Sequence, residues 1–443
     1  MTHPAPDPTL PWPDYARALT DPARAREQPE ALDDLLVLDC SQANVAGLFA
    51  SSILAEFGAT VIRIEPPEGD PARQLSPDGL MHRDTGLAYL VEGRNKHHVT
   101  LNLEHSDGRL LLRRLAAKAD VLVETFLPGV MDGWGLGYRQ LSQLNPALVY
   151  VAISTHGQFG PRAASPIPDR DVTNQALSGV VYVTGEPEGP EGPEPHAVPT
   201  RQGSWIGWYV GGGWAAFAAL AALAWRATSG RGQFCDISPA EGEARMTDYA
   251  LHWYHSHRQI WERTGVLNIS VFPYTLIRTR DGYSYIAGFS DTNWTGVTNI
   301  MGRPDLRERF PTIRDRTAAD KQPEIHRELE AWSAGLTSQE LLDRVMDYML
   351  QKRGPGTVAT ARVNTPKDTL EEAHWWERGV FQRVEDAHYG ALTLQAPPWK
   401  MSRTPPRIKW ACRPVGADNA AVYTRHLGLG ASELAALRDR GVI

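Results

Sequence analysis

The first residues whose types could do chemistry are one aspartate and three histidines in a predicted helix, Asp248, His252, His255 and His257. Asp and His side chains are common metal ligands, and Asp248 and His252 are four positions apart, so they share a helix face. The other spacings do not bring a third ligand onto that face. The pattern therefore predicts a polar helix face and no bound metal.

The cysteine content and the charge limit the class of protein. Cys40, Cys235 and Cys412 lie far apart, and an odd number gives no complete set of disulfides, which is typical of a reducing cytosol. The 45 Lys and Arg residues are outnumbered by 52 Asp and Glu residues, so the formal net charge is −7. This balance is unfavourable for a nucleic-acid partner. We expect a cytoplasmic protein.

One segment of 21 residues, 205–225, has no charged side chain and is long enough to cross a membrane. Three consecutive glycines, 211–213, interrupt it, and the Ala-rich run that follows is only modestly hydrophobic. We therefore expect a buried helix that begins after a glycine turn, and no membrane partner.

The elements that must position any functional residues alternate between strands and helices. Apolar, β-branched runs predict strands, amphipathic stretches predict helices between them, and Gly58 follows the first helix as a capping glycine would. The strands are expected at 35–40, 60–65, 120–124 and 148–153, and the helices at 46–57, 107–119 and 139–144. Strands joined by helices form a parallel sheet that is covered on both faces. The sequence predicts an α/β fold with an open, doubly wound sheet.

A second, smaller domain begins where the pattern changes. Strand-like runs flank Asp281 and Gly282, a pair that is typical of a hairpin turn, and helical stretches follow. This part is predicted to be α+β. The expected organisation is a leader at 1–34, the large domain at 35–240, a linker at 241–270, the small domain at 271–365, and a return linker with the end of the large domain at 366–443.

Several longer motifs occur in an order and spacing that are specific together. They are LVLDCSQANVAGLFASSILAEFGATVIRIEPPEGDPAR from residue 36, GRNKHHVTLNL from residue 93, ADVLVETFLPGVMDGWGLGY from residue 119, SGRGQ from residue 229, and LAALRDRGVI at the end of the chain. With these motifs the chain resembles the class III CoA-transferases, the superfamily of formyl-CoA transferase, carnitine CoA-transferase and α-methylacyl-CoA racemase.

The resemblance implies a fold and a mechanism. Family members are interlocked dimers of ring-shaped subunits, each with a Rossmann-like large domain and a small domain, and they bind a CoA thioester as substrate without a tightly bound cofactor. An aspartate attacks the thioester and forms a mixed anhydride and then an aspartyl-CoA thioester. A carboxylate suits this chemistry because it is both a nucleophile and a leaving group. The resemblance assigns CoA contacts to five residues, Arg94, Lys96, Leu101, Thr125 and Phe126.

The sequence departs from the family at the nucleophile. The family aspartate aligns with Trp208, and no Asp or Glu occurs between Glu194 and Asp236, so a shifted alignment does not supply an acid. An indole offers an N–H donor and an apolar face and cannot form an acyl anhydride. The isolated chain is therefore expected to lack the half-reactions, and no catalytic residue is assigned to it.

A family precedent exists for the missing acid. The benzylsuccinate CoA-transferases of anaerobic toluene degradation are heteromers in which one subunit keeps the aspartate and the other lacks it. The chain resembles the lacking subunit, so its expected partner is a homologous, aspartate-bearing chain and its expected substrates are succinyl-CoA and an acid such as benzylsuccinate. For Trp208 itself, packing in the core or at a subunit contact is the alternative to a role in substrate binding.

Two other hypotheses stay open. A homodimer could use another acid, for which Glu194, Asp169 and Asp171 are the candidates. A racemase would need a proton-transfer residue at the position of Arg170, which does not suit that role. The other hypothesis, besides a homodimeric enzyme, is that the chain is a scaffolding or regulatory protein without enzymatic activity.

Overall fold

The fold was determined as a computed structural model, which describes residues 7–189, 197–247 and 249–443. Its strands are β1 Leu36–Asp39, β2 Thr60–Glu65, β3 Met81–His82, β4 Thr85–Gly86, β5 Lys96–Thr100, β6 Val121–Glu124, β7 Val149–Ile153, β8 Phe234–Ile237, β9 Tyr274–Thr279, β10 Gly282–Ala287, β11 Ala359–Arg362, β12 Phe381–Asp386 and β13 Gly390–Gln395.

The α-helices include several short ones. They are α1 Trp12–Thr20, α2 Val45–Glu56, α3 Leu87–Glu92, α4 Ser106–Ala116, α5 Val130–Gly133, α6 Tyr138–Leu144, α7 Asp171–Ser178, α8 Ile206–Ser229, α9 Pro239–Met246, α10 Ala250–His257, α11 Asp291–Met301, α12 Pro304–Arg309, α13 Ile313–Thr317, α14 Gln322–Ser333, α15 Ser338–Leu350, α16 Pro366–Glu371, α17 Ala373–Glu377, α18 Asn419–Leu427 and α19 Ala431–Asp439. Three short 3₁₀ helices lie at Pro22–Glu27, Pro71–Gln74 and Pro77–Gly79.

The chain forms two compact units. Unit 1 comprises 1–180, 201–251 and 372–443, and unit 2 comprises 181–200 and 252–371. Each unit has its own buried apolar cluster, as expected for two separate cores.

Unit 1 is built on a six-stranded sheet in the order β5-β2-β1-β6-β7-β8, with every neighbouring pair parallel. Because successive side chains of a strand point to opposite faces, Leu38 packs on one side of the sheet and Val37 on the other. The first side is covered by α4, α18 and α19, and the second by α2 and α8. The predicted doubly wound α/β fold is confirmed.

Helix α8 corrects one expectation. It runs without a break from Ile206 to Ser229, so the predicted glycine turn is wrong. The glycines lie inside the helix because neighbouring segments approach it closely: a Cβ on Gly212 would lie 2.5 Å from the carbonyl oxygen of Ala46 in α2, and a Cβ on Gly211 would lie 2.6 Å from Pro239. By length and composition α8 could cross a membrane, but half of its most apolar window is buried, as in the core helix of a globular domain.

Unit 2 is the predicted α+β part. It contains an antiparallel sheet in the order β11-β10-β9, and the pairing of Thr279 with Gly282 closes the predicted hairpin turn. Helices α11, α14 and α15 pack their apolar faces into the core of this unit through Trp294, Leu329 and Leu341.

The close approach of α2 and α8 gives a paired prediction. Gly212→Ala places a methyl group against the Ala46 carbonyl, so we expect the free energy of unfolding to fall by about 1–3 kcal/mol. Gly213→Ala is the matched control, because its Cβ would meet nothing closer than Phe49 at 4.0 Å. That control gains helix propensity and should stabilise the protein by about 0.5–1 kcal/mol. Urea unfolding measures both changes, and equal midpoints for the two variants would refute the packing argument.

Candidate active site

The site lies at the carboxyl edge of the unit 1 sheet. In a doubly wound sheet, ligands bind where the strand order reverses, which here is between β1 and β6. Gln42 follows β1 and Thr125 follows β6, and the Gln42 backbone N–H donates to the Thr125 hydroxyl oxygen at 2.9 Å. The predicted residues Thr125 and Phe126 are therefore placed at this crevice.

Trp208 lies in the first turn of α8 and is buried, with 2% of its surface exposed. Its indole N–H donates to Oδ2 of Asp169 at 3.2 Å, and its backbone N–H donates to Oδ1 of Asp171 at 3.0 Å. The indole ring packs in the apolar layer between the sheet and α8. Trp208 is thus fixed at both its ring and its backbone.

Asp169 is a buried carboxylate with donors on both oxygens. Oδ1 accepts from the hydroxyl of Thr155 at 2.7 Å and from the amide of Asn174 at 2.8 Å. Oδ2 accepts from Trp208 and, at 3.5 Å, from the amide of Asn44 at the N-terminus of α2. Hydrogen bonds satisfy a buried charge but also occupy the lone pairs that a nucleophile must offer. Through these hydrogen bonds Asp169 connects four neighbouring segments.

Asp171 is the first residue of α7, and its carboxylate accepts a hydrogen bond from the backbone of α8. Its second oxygen accepts from the amide of Gln175 at 2.6 Å, and the carboxyl group faces the N-terminal end of α8. Burial raises the pKa of Asp171, and the backbone N–H of Trp208 partly opposes this effect. The unpaired N–H groups at a helix start favour a carboxylate there.

Glu243 in α9 is a third acid in this cluster, and nothing in the sequence indicated that it would lie there. Its Oε1 would lie 3.1 Å from a Cβ atom on Gly207, and Oδ1 of Asp171 would lie 3.2 Å from the same atom. The Oε2 atom of Glu243 has no hydrogen-bond partner among the described residues. Burial raises the pKa of Glu243 to about 7; a hydrogen bond from Ser178 lowers it, and the charge of Asp171 raises it further. Glu243 therefore holds a proton between about pH 4.5 and pH 7, where ordinary glutamates are ionised.

The other predicted CoA contacts lie inside unit 1. The Nζ atom of Lys96 is 3.4 Å from Asp39 and donates to the Leu48 carbonyl at 2.7 Å, with no exposed surface. Burial lowers the pKa of Lys96 to about 8. Arg94 forms an ion pair with Glu56 at 2.9 Å, and Leu101 belongs to the apolar core. Contact of CoA with all five predicted residues stays a prediction.

Lys96 belongs to a buried ionic network that sequence reasoning missed. Arg63 of β2 donates to Asp39 at 2.7 Å and also pairs with Asp70, and all three side chains are fully buried. A buried arginine is tolerated when carboxylates neutralise it. The network fixes the end of β1, where the chain turns into the crevice.

The histidine cluster is described only in part. Asp248 lies outside the described residues, whereas His252, His255 and His257 lie on α10. Across the described ranges, no group of three or more His, Cys, Asp or Glu side chains could hold a metal ion.

Residues 32–419 match the model of CoA-transferase family III. The chain belongs to CoA-transferase family III. It is 33% identical over 430 residues, which cover 95% of this chain and 100% of the relative, to the succinyl-CoA–D-citramalate CoA-transferase of Chloroflexus aurantiacus. It is 32% identical to the succinyl-CoA–L-malate CoA-transferase alpha subunit of Chloroflexus aurantiacus, covering 96% of this chain and 95% of that one. A CaiB/BaiF family crystal structure from Brucella suis is similar, with a TM-score of 0.76, 26% identity, and coverage of 90% of this chain and 100% of that one.

As a family III CoA-transferase, the protein has CoA thioesters as its substrates and needs no tightly bound cofactor. The predicted family and its succinyl-CoA chemistry are confirmed at this level. The resemblance to a benzylsuccinate enzyme stays a prediction, since the relatives named here use other acids.

The carboxyl group of Glu243 gives a pH-dependent prediction. Its folded-state pKa is raised above the unfolded value, so its favourable contribution is complete below about pH 4.5 and is lost as the pH rises through about 7. Glu243→Gln stays neutral at every pH. We expect its stability relative to the native protein to increase by roughly 1–2 kcal/mol between pH 5 and pH 8. Thermal unfolding at both pH values measures the difference.

Glu241→Gln is the matched control for this prediction, because Glu241 lies two residues earlier on the same helix with an exposed side chain. Its stability difference should stay constant between the two pH values. A pH-independent difference for Glu243→Gln would contradict the buried, proton-bearing carboxyl group.

Proposed function

We propose that this chain is the subunit of a heteromeric family III CoA-transferase that does not supply the nucleophile. The complex would move CoA from succinyl-CoA to a carboxylic acid, and a homologous subunit would supply the aspartate. The observation that supports this most is the buried Trp208 at the aligned position of the family aspartate, with its indole N–H bonded to Asp169.

The covalent chemistry would then take place on the partner subunit. Its aspartate attacks the succinyl thioester and gives a succinyl-aspartyl anhydride and CoA thiolate. The thiolate attacks the aspartyl carbonyl, which releases succinate and leaves an aspartyl-CoA thioester. The acceptor carboxylate displaces CoA thiolate from this thioester, and the thiolate then attacks the acceptor's carbonyl to form the new acyl-CoA and free the aspartate.

Asp169 and Asp171 are poorly suited to replace that nucleophile. Each carboxylate oxygen of Asp169 accepts two hydrogen bonds. The carboxylate of Asp171 accepts hydrogen bonds from the Gln175 amide and from the α8 backbone. Glu194 lies outside the described residues. Arg170 donates to the carbonyl of Asp169 at 2.8 Å and carries no base for racemisation. These contacts favour the subunit hypothesis over a homodimer that uses another acid.

Two observations support a protein partner. One relative is named as the alpha subunit of a CoA-transferase, which indicates that this family includes enzymes of more than one kind of chain. On α8, Phe217 and Trp225 are 65% and 58% exposed, and large apolar side chains at a surface are typical of subunit contacts. We propose an interlocked arrangement of the two chains, with the family's dimer as the precedent.

The acceptor is proposed to be a dicarboxylic acid. The named relatives act on citramalate and malate, and these acids are the first to be assayed. Benzylsuccinate is the aromatic candidate; its phenyl ring could contact Trp205 or Tyr209 beside Trp208. The proposed location is the cytoplasm, with neither a membrane nor a nucleic acid as partner, which the net charge of −7 supports.

The subunit proposal predicts a dependence on two chains. The purified protein should transfer CoA from succinyl-CoA to malate, citramalate or benzylsuccinate at less than about one thousandth of the rate of the complex, because the carboxylates of Asp169 and Asp171 are occupied by hydrogen-bond donors. Co-expression with the aspartate-bearing homologue should give one complex with full activity. The assay follows acyl-CoA formation by liquid chromatography. Full activity of the isolated chain would refute the proposal.

The Asp169→Asn variant tests whether the carboxylate of Asp169 has a structural or a catalytic role. All four groups that contact the Asp169 carboxylate are donors, so an amide N–H at this place would face another donor. We expect a loss of about 2–4 kcal/mol of stability, with kcat of the co-expressed complex within about fivefold of normal. A folded complex that loses about a thousandfold in kcat, with CoA binding unchanged, would identify Asp169 as the nucleophile and contradict the proposal.

A further inference from the structure

A second cavity of unit 1 lies at the opposite edge of the sheet from Trp208. It has a volume of about 470 Å³ and is formed by α1, the turn after it, and the chain on either side of the hairpin β12–β13. Trp399 of this cavity packs 5.3 Å from Phe57, which ends α2 just before β2 begins. The cavity is therefore next to the amino ends of the strands and separate from the crevice at their carboxyl ends.

The cavity has an excess of positive charge. Arg17, Arg26, Lys400 and Arg407 line it, against the acids Asp21 and Glu377. Arg407 is already paired with Glu30, whereas Arg17, Arg26 and Lys400 form no ion pair with any residue in the described ranges. In a protein with a net charge of −7, three unpaired cations around one cavity form an anion-binding surface.

Lys400 is the most constrained of these cations. Its ammonium group is partly buried and donates to the carbonyl oxygens of Gly379 and Pro397, both at 3.3 Å. Burial and the nearby Arg378 lower the pKa of Lys400. An ammonium group has three donors, so one N–H is available to a ligand, and a negative charge there would offset the cost of burial.

The remaining wall is aromatic and apolar. Trp376, Phe381 and Trp399 line the cavity, and the rings of Trp376 and Phe381 lie 5.6 Å apart. Indole rings are suitable surfaces for stacking a nucleobase. The volume is within the range of small-molecule sites. A ligand that matches both walls has a planar aromatic part and a multiply charged anionic part.

We propose that this cavity binds a nucleoside phosphate, with its phosphate groups on Arg17, Arg26 and Lys400 and its base against Trp399. The inference goes beyond the proposed transferase function and does not depend on which subunit supplies the nucleophile. The proposed ligand is a free nucleotide, because the predicted CoA contacts Thr125 and Phe126 lie in the crevice at the carboxyl ends of the strands.

Isothermal titration of the full-length protein with ADP tests the proposal. We expect one ADP per chain, and binding weakened about tenfold by Arg17→Gln and by Lys400→Gln, since each removes a charge-assisted contact. Inorganic phosphate should bind at least about tenfold more weakly than ADP because it does not use the aromatic wall. Saturation with CoA should leave ADP binding unchanged, whereas competition by CoA would place the ADP in the CoA crevice and overturn the proposal.

Arg24→Gln is the matched control. Arg24 lies on the same 3₁₀ helix as Arg26 but does not line the cavity, and its guanidinium is close to Glu27. Its ADP affinity should stay within about twofold of normal. The Arg17 side chain forms no hydrogen bond or ion pair with the described residues, so Arg17→Gln should fold even if Lys400→Gln does not. Absence of ADP binding, unchanged ADP affinity in Arg17→Gln, or phosphate binding as tight as ADP binding would overturn the proposal.

Discussion

The hydrogen bond between the indole of Trp208 and the carboxylate of Asp169 determines what the crevice of this protein can do. The bond joins the first turn of α8 to the segment before α7, and Thr155 and Asn44 tie the same carboxylate to β7 and α2. Four parts of unit 1 therefore meet at one buried charge. Because these donors satisfy both of its oxygens, the carboxylate holds the four parts together, and we propose that it does not accept an acyl group.

The backbone around this bond is constrained by close packing. Helix α8 can approach α2 and α9 only because Gly211 and Gly212 lack side chains. This approach brings the start of α8 to the carboxyl edge of the sheet, where Thr125 and Phe126 follow β6. The ionic network of Asp39, Arg63 and Lys96 fixes the end of β1 at the same edge. The framework of a family III CoA-transferase is therefore present around Trp208, the position that we propose does not supply the nucleophile.

The sequence predicted β1, β2, β6 and β7 because their signals are local, whereas β5 was not predicted. The β-branched run of β2 and the capping position of Gly58, with φ of +113°, both depend on neighbouring residues. The partners of the polar side chains could not be predicted in this way. Asp169 is 39 positions from Trp208, and Asp39 is 57 positions from Lys96, so only the folded topology brings them together. In the sequence, nothing distinguishes the buried Glu243 from the exposed Glu241 two residues earlier.

The central claim is that no carboxylate of this chain becomes acylated. The direct measurement is mass spectrometry of the complex after incubation with succinyl-CoA and trapping with hydroxylamine, which converts an acyl-aspartate into a hydroxamate. We expect the modified aspartate in the partner subunit only, and an unmodified mass for every peptide of this chain. A hydroxamate on Asp169, Asp171 or Glu194 of this chain would contradict the account.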